Sequence, residues 1–372
     1  MPTLIGADIG GTNARLQLWE ATGPDDPAPS LVLDRRYSSR DFSGLESLVR
    51  RFLVDAGWPV PEGEAAGSAS ASTYAGPVVH GCCVAICGPV DGERVQSGPN
   101  LPEQGPTGWG ADAHQHLERA LGAVVKRAVL INDFVAVGLG LTVVPDEDLA
   151  TLHDVPQKVG GVKAAVGAGT GLGEVTLIDT AASSAPAPVY VAFPCEGGMT
   201  EFLAHDEQEW RLREWLRSER KCGPQGTATV EGVVSGPGLA NVFEFLQQSS
   251  GAGGEVAPSA AAAQLAALPR VEQPAAIAAA ALEGEPAAVA AVDMMLRAFG
   301  AELRQVALRA MPSGGLYIAG GIAPKLRARM GTLVESYCQG DALMGELIST
   351  FPLYLCTNDD LGLLGSRVRA HN

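Results

Sequence analysis

The spacing of hydrophobic and polar residues along the chain falls into short runs typical of strands and longer 3.6-residue periods typical of helices. Runs that predict strands cover 3–8, 13–20, 31–37, 78–86, 128–131, 163–167, 172–179, 315–319 and 351–356. Periods that predict helices cover 42–56, 111–121, 134–141, 207–218, 239–246, 292–310, 324–337 and 361–369. The Ala-rich segment 257–292 predicts further helices, interrupted by prolines. Strands and helices that alternate in this way indicate an α/β protein.

Two such α/β groups follow each other, and each opens with strands joined by a Gly-rich turn. A chain of 372 residues is also longer than most single domains. We therefore expect a small domain at 1–131 and a larger one at 132–357. The last segment, 358–372, contains a helix that we expect to pack back on the first domain.

Charge narrows the classes of partner. The formal net charge is −16, which disfavours nucleic acid and anionic membrane surfaces, since both attract clustered Lys and Arg. A phosphorylated small molecule is not excluded, because Gly-rich loops bind phosphate through backbone N–H groups.

The cytosol is the expected location. The sequence contains no run of about 18 apolar residues, which a membrane-spanning helix needs. Its first residues lack the basic and apolar regions of a signal peptide. The seven cysteines are odd in number and lack C-x-x-C spacing, so we expect free thiols in a reducing compartment rather than a disulfide framework or a zinc site.

The first candidate for chemistry is the string D-x-G-G-T-N-x-R at 8–15, in which Asp8 ends a predicted strand. Gly10 and Gly11 have no Cβ, which lets the backbone approach a polyphosphate with its N–H groups. The Asp8 carboxylate can hold a hydrated Mg²⁺ between phosphate groups. Two glycines alone would equally form a plain hairpin turn, but the complete string favours the phosphate site.

A second Gly-rich string, G-A-G-T-G-L-G at 167–173, also lies between two predicted strands. It neither opens a helix like a dinucleotide motif nor contains the G-K-[ST] of a Walker A loop. We interpret it as a second phosphate-binding hairpin. The pair Gly320-Gly321 follows another predicted strand and fits either a shelf for a nucleoside or a plain turn before a helix.

Three carboxylates are candidates for sugar chemistry. Asp133 follows a predicted buried strand, at a position where open sheets place ligands, and can take a proton from a hydroxyl group. It is equally suited to cap the helix predicted from residue 134. Glu196, before Gly197-Gly198, and Glu231 can accept hydrogen bonds from sugar hydroxyls. Either glutamate taken alone would equally suit a solvated surface.

The order of these motifs resembles that of the bacterial-type glucokinase family, within the superfamily of hexokinases, actin and heat-shock chaperone ATPases. The strings that carry the resemblance are D-x-G-G-T-N-x-R at 8–15, I-N-D-F at 131–134, G-A-G-T-G-L-G at 167–173, E-G-G at 196–198, S-G-P-G-L at 235–239 and A-G-G-I-x-P at 319–324. The resemblance implies an α/β, two-lobed actin-like ATPase (ribonuclease H-like) fold with a ligand cleft between the lobes. It also implies phosphoryl transfer from ATP, with Mg²⁺, to the 6-hydroxyl of D-glucose.

The resemblance also implies a role for each candidate residue. Asp133 is the implied general base and binds the reacting hydroxyl, and Asp8 is the implied Mg²⁺ residue, acting through water. The residues implied to hold the other sugar hydroxyls are Asn100, Asn132, Glu196 and Glu231. Those implied to bind ATP are Asp8, Gly10, Gly11, Thr12, Asn13, Gly169, Thr170, Gly171, Gly320 and Gly321. An insertion relative to the family separates Asn100 from Trp109, which weakens the assignment of Asn100.

One position departs from the family pattern. The family commonly has His directly after E-G-G, whereas this chain has Met199. A thioether is a weak acceptor and no donor, so a kinase for another hexose, fructose or mannose, is the alternative within enzymes. A non-catalytic ATP- or sugar-binding regulator is the alternative from another class. Family members are often dimers, and a homodimer is therefore open.

Overall fold

The computed structural model describes residues 2–23, 29–60, 74–88, 90–91, 94–95, 109, 113–182, 185, 187–219, 221, 226–249, 259–340 and 342–371. The chain divides into two compact units. The first comprises Met1–Val144 and Asp360–Asn372, and the second comprises Pro145–Asp359. Each unit has its own hydrophobic core.

The first unit is built on a five-stranded sheet with the order β3-β2-β1-β4-β7. Its strands are β1 (Thr3–Ile9), β2 (Asn13–Glu20), β3 (Ser30–Ser38), β4 (Gly81–Ile86) and β7 (Ala128–Asn132), and the short strands β5 (Val90–Asp91) and β6 (Arg94–Val95) pair only with each other. Strand β1 is antiparallel to β2 but parallel to β4, and β4 is parallel to β7. The carboxyl ends of β1, β4 and β7 therefore lie along one edge of the sheet.

The helices of the first unit are α1 (Leu45–Asp55), α2 (Ala113–Leu121), α3 (Asp133–Gly140) and the last helix, α11 (Leu361–His371). Helix α11 packs closely on α3 and β1. A Cβ added to Gly365 would lie only 1.7 Å from the Ala136 carbonyl oxygen, and the Ser366 hydroxyl donates a 3.0 Å hydrogen bond to the Ala7 carbonyl. This packing explains why the unit continues to Val144, past the division expected after residue 131, and resumes at Asp360.

The second unit is built on a six-stranded sheet with the order β11-β10-β9-β12-β13-β8. Its strands are β8 (Leu149–His153), β9 (Lys163–Ala168), β10 (Leu172–Asp179), β11 (Tyr190–Cys195), β12 (Gly315–Ala319) and β13 (Leu353–Cys356). Its α-helices are α4 (Glu207–Ser218), α5 (Gly236–Ser249), α6 (Ala260–Ala266), α7 (Gln273–Leu282), α8 (Pro286–Ala310), α9 (Met330–Cys338) and α10 (Ala342–Ile348). Helix α8 is mostly buried and forms the centre of this unit's core.

The described part of the Ala-rich segment is helical, as predicted. Two of its prolines start helices, because Pro274 and Pro286 lie in the first turns of α7 and α8, where a missing N–H costs nothing. Pro269 lies between α6 and α7, as expected of an interrupting proline, and Pro258 lies outside the described residues. In the described part of the chain, no single helix is long and apolar enough to cross a membrane. Helices α7 and α8 meet that criterion only as a pair, and they are bent by 105°.

Several boundaries differ from the prediction. The helix expected at 239–246 begins at Gly236, and the helix expected from residue 324 is a 3-10 turn, Pro324–Arg329, followed by α9. Strands β8 and β11 and helix α10 were not predicted. No residue of β8 or β11 is fully buried, and both are edge strands of the second sheet. Strand β8 lacks a continuous apolar run, and Pro194 interrupts the apolar run of β11, which disfavours a strand prediction.

Candidate active site

The predicted residues of the first unit meet at the carboxyl edge of its parallel strands. Ile86 of β4 pairs with Asn132 of β7, so Cys87 and Asp133 follow the ends of adjacent strands, and Asp8 lies near the end of β1 on the other side of β4. Burial, and then the charge of Asp133, raise the pKa of the Cys87 thiol to about 11; the charge of Asp8 contributes as well. Open α/β sheets bind ligands at this kind of edge.

Asn132, not Asp133, caps helix α3, which corrects the alternative considered from the sequence. Its Oδ1 accepts hydrogen bonds from the N–H groups of Phe134 at 2.8 Å and Val135 at 3.1 Å, and its Nδ2 donates to the Gly88 carbonyl at 3.0 Å. Asn132 has the extended backbone of an N-cap residue, and the helix begins one residue earlier than expected. Asp133 is the first helical residue, and its Oδ1 also accepts from Phe134 N–H at 2.8 Å.

The first Gly-rich string forms a tight hairpin between β1 and β2. The Gly10 N–H donates to the Asn13 carbonyl at 2.9 Å. Ser39, which the sequence did not single out, fastens the hairpin: its N–H donates to the Thr12 carbonyl at 3.0 Å and its hydroxyl to the Gly10 carbonyl at 2.7 Å. Thr12 and Asn13 are exposed, so the hairpin tip is open to a ligand.

Asp8 lies just before this hairpin, and burial raises the pKa of its carboxyl group, an effect that the charge of Arg15 partly offsets. Helix α11 comes close to the carboxylate, because a Cβ added to Gly362 would lie 2.9 Å from Asp8 Oδ2. A cation beside Asp8 would favour its charged form.

The chemistry of Asp8 fits Mg²⁺, which binds oxygen ligands and commonly uses one or two carboxylates together with waters and substrate phosphates. Among the described residues no group of three or more His, Cys, Asp and Glu side chains could hold a metal ion. A single carboxylate such as Asp8 is enough for a hydrated Mg²⁺ whose other ligands are waters and substrate phosphates.

Arg15 ends the first string and connects three segments of the first unit. Its Nε and Nη2 donate to Asp34 on β3, at 3.0 and 2.6 Å, and its Nη1 pairs with Asp360, just before α11. The hydrogen bond to Asp34 is the largest cause that raises the pKa of Arg15. Neither partner could be predicted from the sequence, since both come from other parts of the chain.

The second Gly-rich string is the hairpin between β9 and β10. The Gly169 N–H donates to the Gly171 carbonyl at 2.8 Å, and Thr170 at the tip is exposed. Helix α5 is attached to this hairpin, because the N–H of its first residue, Gly236, donates to the Gly169 carbonyl at 2.8 Å. Ser235 caps α5 by accepting from Gly238 N–H at 2.9 Å.

The Gly320-Gly321 turn lies beside that hairpin. It follows β12, which is parallel to β9, and the Ile322 N–H donates to the Ala168 carbonyl at 3.3 Å. Gly320 has φ of +83°, and a Cβ there would lie 2.5 Å from the Ala168 carbonyl oxygen, so only glycine fits. The turn and the hairpin thus form one edge of the second sheet.

Glu196 and Glu231 also lie together at this edge. Glu231 Oε2 accepts a 2.8 Å hydrogen bond from the Leu172 N–H, and the Glu231 N–H donates to the Gly198 carbonyl at 2.9 Å. Partial burial and then the charge of Glu231 raise the pKa of Glu196. Met199, which is 41% exposed, ends the turn that begins after Glu196.

The structure thus brings the predicted residues together in two sets, one in each unit. The first set contains Asp8, Asn132, Asp133 and the hairpin at 10–13. The second contains Glu196, Glu231, the hairpin at 169–171 and the turn at 320–321. Asn100 lies outside the described residues, and its role stays a prediction.

Comparison with known proteins adds to this geometry. The family model described as Glucokinase matches residues 5–372. The chain belongs to the glucokinase family. The glucokinase of Nostoc punctiforme is 32% identical over 100% of this chain and 99% of its own length.

Solved structures of glucokinases have the same fold. The crystal structure of a glucokinase from an Antarctic psychrotroph has a TM-score of 0.71 at 23% identity, covering 100% of this chain and 99% of the other. A ROK family glucokinase from Streptomyces griseus, in complex with glucose and AMPPNP, has a TM-score of 0.57 at 18% identity over 99% of both chains. The predicted α/β fold of the actin-like ATPase type is confirmed.

Proposed function

We propose that this glucokinase-family protein transfers the γ-phosphoryl group of ATP to the 6-hydroxyl of D-glucose. The observation that carries the proposal is the position of Asp133 at the carboxyl edge of the first sheet, where the adjacent Asn132 caps the helix. Family membership supports glucose as the acceptor. The glucose and AMPPNP bound to the Streptomyces griseus protein support this pair of substrates.

Asp133 is the proposed general base. A carboxylate within hydrogen-bonding reach of the 6-hydroxyl takes its proton as the oxygen attacks the phosphorus, and such a base contributes about 10²–10⁴ in rate. Glu196 and Glu231 are proposed to accept hydrogen bonds from the other hydroxyls, which orients the sugar. Asn132 Nδ2 has two hydrogens, and the hydrogen bond to Gly88, the one it makes among the described residues, uses one of them; the other is proposed to bind the sugar.

The backbone of the two hairpins is proposed to hold the phosphates, and the exposed Gly320-Gly321 turn the adenosine end. Glycine at these positions lets main-chain N–H groups approach phosphate oxygens. Asp8 is proposed to hold Mg²⁺ through water. Bound there, Mg²⁺ neutralises charge that develops on the phosphoryl oxygens.

The test is release of ADP from ATP and Mg²⁺, measured in parallel with glucose, fructose, mannose and no sugar. Turnover that depends on glucose supports the proposal. Equal ADP release with and without sugar would indicate an ATPase. A protein that binds ATP or sugar but releases no ADP would be a non-catalytic regulator.

A kinase for another hexose is the second candidate, and the exposed Met199 beside Glu196 favours it. A thioether cannot donate a hydrogen bond to a sugar oxygen, so it recognises no particular hydroxyl. Higher kcat/KM for fructose or mannose than for glucose in the same assay would support this candidate. Met199→His, which restores the common family residue, should then shift the preference towards glucose.

The homodimer and the cytosolic location stay predictions. Light scattering of the purified protein tests the first, and fractionation of the source cells tests the second.

A further inference from the structure

A buried carboxyl group lies directly beneath the segment that carries Glu196. Glu174 on β10 is 5% exposed and pairs in register with Cys195 on β11. The Cys195 thiol donates to Glu174 Oε2 at 3.7 Å. A Cβ added to Gly197 would lie 2.0 Å from the same oxygen, so Gly197 rests against the carboxyl group. Both neighbours of Glu196 in the chain therefore contact Glu174.

Glu174 also interacts with a second buried carboxyl group, that of Glu302 on helix α8, which is 2% exposed. Burial raises the pKa of Glu302 as well, and Arg309 opposes that shift. Glu302 has a donor for each oxygen: Arg309 Nη2 donates to Oε1 at 2.5 Å, and Gln305 Nε2 donates to Oε2 at 3.1 Å. Two such donors stabilise the charged form, so Glu302 is the ionised member of the pair.

Glu174 is the member that holds the proton. Its Oε1 is buried and receives no hydrogen bond from any donor among the described residues, which would be costly for a carboxylate. A proton on Glu174 removes the repulsion between the two groups and lets Glu174 donate to Glu302. The titratable and charged groups that face Glu174 are Cys195 on β11 and Glu302 and Arg309 on α8.

Burial first, and then the charge of Glu302, raise the pKa of Glu174 to about 7, while Arg309 and the Cys195 thiol oppose this shift. Loss of the proton would place two carboxylates in contact beneath Gly197. The expected result is displacement of the segment that carries Glu196.

We propose that Glu174 is a positioning residue for sugar binding: its protonated carboxyl group joins helix α8 to residues 195–197 and so fixes the direction of the Glu196 carboxylate. The proposal rests on the proposed function, in which Glu196 binds the sugar. It predicts that the KM for the sugar rises as the pH rises through the pKa of Glu174. The KM for ATP should not rise in the same pH range, because none of the residues proposed to bind ATP contacts Glu174 in the described part of the chain.

The experiment compares the wild type, Glu174→Gln, Glu174→Ala and the control Glu209→Gln, from about pH 6 to pH 9. Gln keeps the shape and the donor of the protonated acid, so the sugar KM of Glu174→Gln should not rise as the pH increases from about 6 to 9. Ala should raise the sugar KM at every pH by about 2- to 10-fold, the range of one net hydrogen bond. Glu209 is also buried, at 2%, but belongs to helix α4, and its variant should follow the wild type.

A second readout does not need kinase activity. Alkylation of Cys195 by iodoacetamide, followed by peptide mass spectrometry, should be faster in Glu174→Gln than in the wild type above neutral pH. The charge of Glu174 contributes to the raised pKa of the Cys195 thiol, and the variant removes that charge. Equal alkylation rates, or a Glu174→Gln enzyme that keeps the wild type's pH dependence of sugar KM, would overturn the proposal. A wild type that phosphorylates no sugar would overturn the proposed function instead, and the alkylation comparison would still decide the state of Glu174.

Discussion

Oε2 of Glu231 accepts a hydrogen bond from the Leu172 N–H at 2.8 Å, so a carboxylate proposed to bind sugar also holds the Gly-rich hairpin at 169–171. The contact is close on both sides, because a Cβ added to Gly171 would lie 2.5 Å from the same oxygen. The hairpin and the sugar carboxylate are therefore parts of one hydrogen-bonded structure, and changes at Glu231 should reach both substrates.

Two substitutions separate these effects. Glu231→Ala removes the acceptor for Leu172 N–H, so we expect the KM values for sugar and for ATP both to rise, the latter by about 2- to 10-fold. Glu231→Gln keeps an acceptor oxygen, so we expect its KM for ATP to stay near that of the wild type while the sugar KM rises. Steady-state kinetics with each substrate varied in turn measure both values. An unchanged KM for ATP in Glu231→Ala would contradict the coupling.

Sugar affinity should decrease as the pH is lowered, and the decrease should begin at a higher pH than it would if Glu196 had the pKa of an ordinary glutamate. Burial and the charge of Glu231 raise the pKa of Glu196. The ionised carboxylate accepts hydrogen bonds with both oxygens, whereas the protonated form has an O–H donor in place of one acceptor. As the pH falls through this raised pKa, Glu196 takes up a proton and the sugar KM increases. Glu231→Gln removes the neighbouring charge, so the acid limb of log KM against pH should move to lower pH. A limb that does not move would show that the two groups are not coupled.

Asp133→Asn should lower kcat by a factor of about 10² or more, because an amide cannot accept the hydroxyl proton. The folded state should be nearly unaffected, since the amide oxygen can still accept from Phe134 N–H. Asn132→Ala should mainly affect stability: the missing N-cap should lower the free energy of unfolding by about 1 kcal/mol. Asp206→Ala, which removes the cap of α4, is the matched control and should cost similar stability without changing the sugar KM. A near-normal kcat for Asp133→Asn would remove Asp133 from its proposed role.

Much of the local structure could be predicted because burial alternates with the period of the element. Strands β2 and β10 and helix α4 have the predicted limits, Asn13–Glu20, Leu172–Asp179 and Glu207–Ser218. The candidate site residues could be predicted because the Gly-rich and acidic motifs follow one another in the order found in the glucokinase family. What could not be predicted depends on contacts between distant segments, which periodicity does not contain.

Glu174 shows this limit most clearly. Val175 and Leu177 alternate as buried apolar residues on one face of β10, so the alternation predicts that Glu174, on the opposite face with Thr176, faces outward. The residue is instead buried by helix α8 and the segment after β11. The capping of α3 is a smaller case, because Asn132 and Asp133 are both good caps and only the backbone conformation decides between them.

Asp8→Asn should stabilise the protein at neutral pH in the absence of nucleotide and metal. The folded-state pKa of Asp8 is raised above its unfolded value, so the folded state binds the proton more tightly, and this contribution to stability is lost as the pH rises through the folded pKa. Asn removes the charge, and its advantage should disappear at acid pH. Asp34→Asn is the control of opposite sign, because Arg15 lowers the pKa of Asp34, so that the variant should be less stable at neutral pH. Thermal unfolding across pH measures both, and an Asp8→Asn protein that melts below the wild type at neutral pH would contradict the prediction.

Gly365→Ala should destabilise the first unit by about 1–3 kcal/mol or more. The new Cβ would lie 1.7 Å from the Ala136 carbonyl oxygen, which belongs to the backbone of α3 and cannot rotate away. Gly331→Ala in helix α9 is the matched control: a Cβ there meets nothing within 4 Å, and Ala should stabilise that helix by about 0.5–1 kcal/mol. Denaturant unfolding measures both changes. Equal stabilities for the two variants would show that α11 tolerates a shift away from α3.

The return of helix α11 to the first unit has a consequence for synthesis on the ribosome. The nascent chain makes β1 and α3 early, but the surface that α11 covers stays open until Pro145–Asp359 has been translated. At about 5–20 residues per second, this delay is on the order of 10–40 s. The first unit waits for its last helix during all of that time. The N-terminal unit is therefore the one that is completed last.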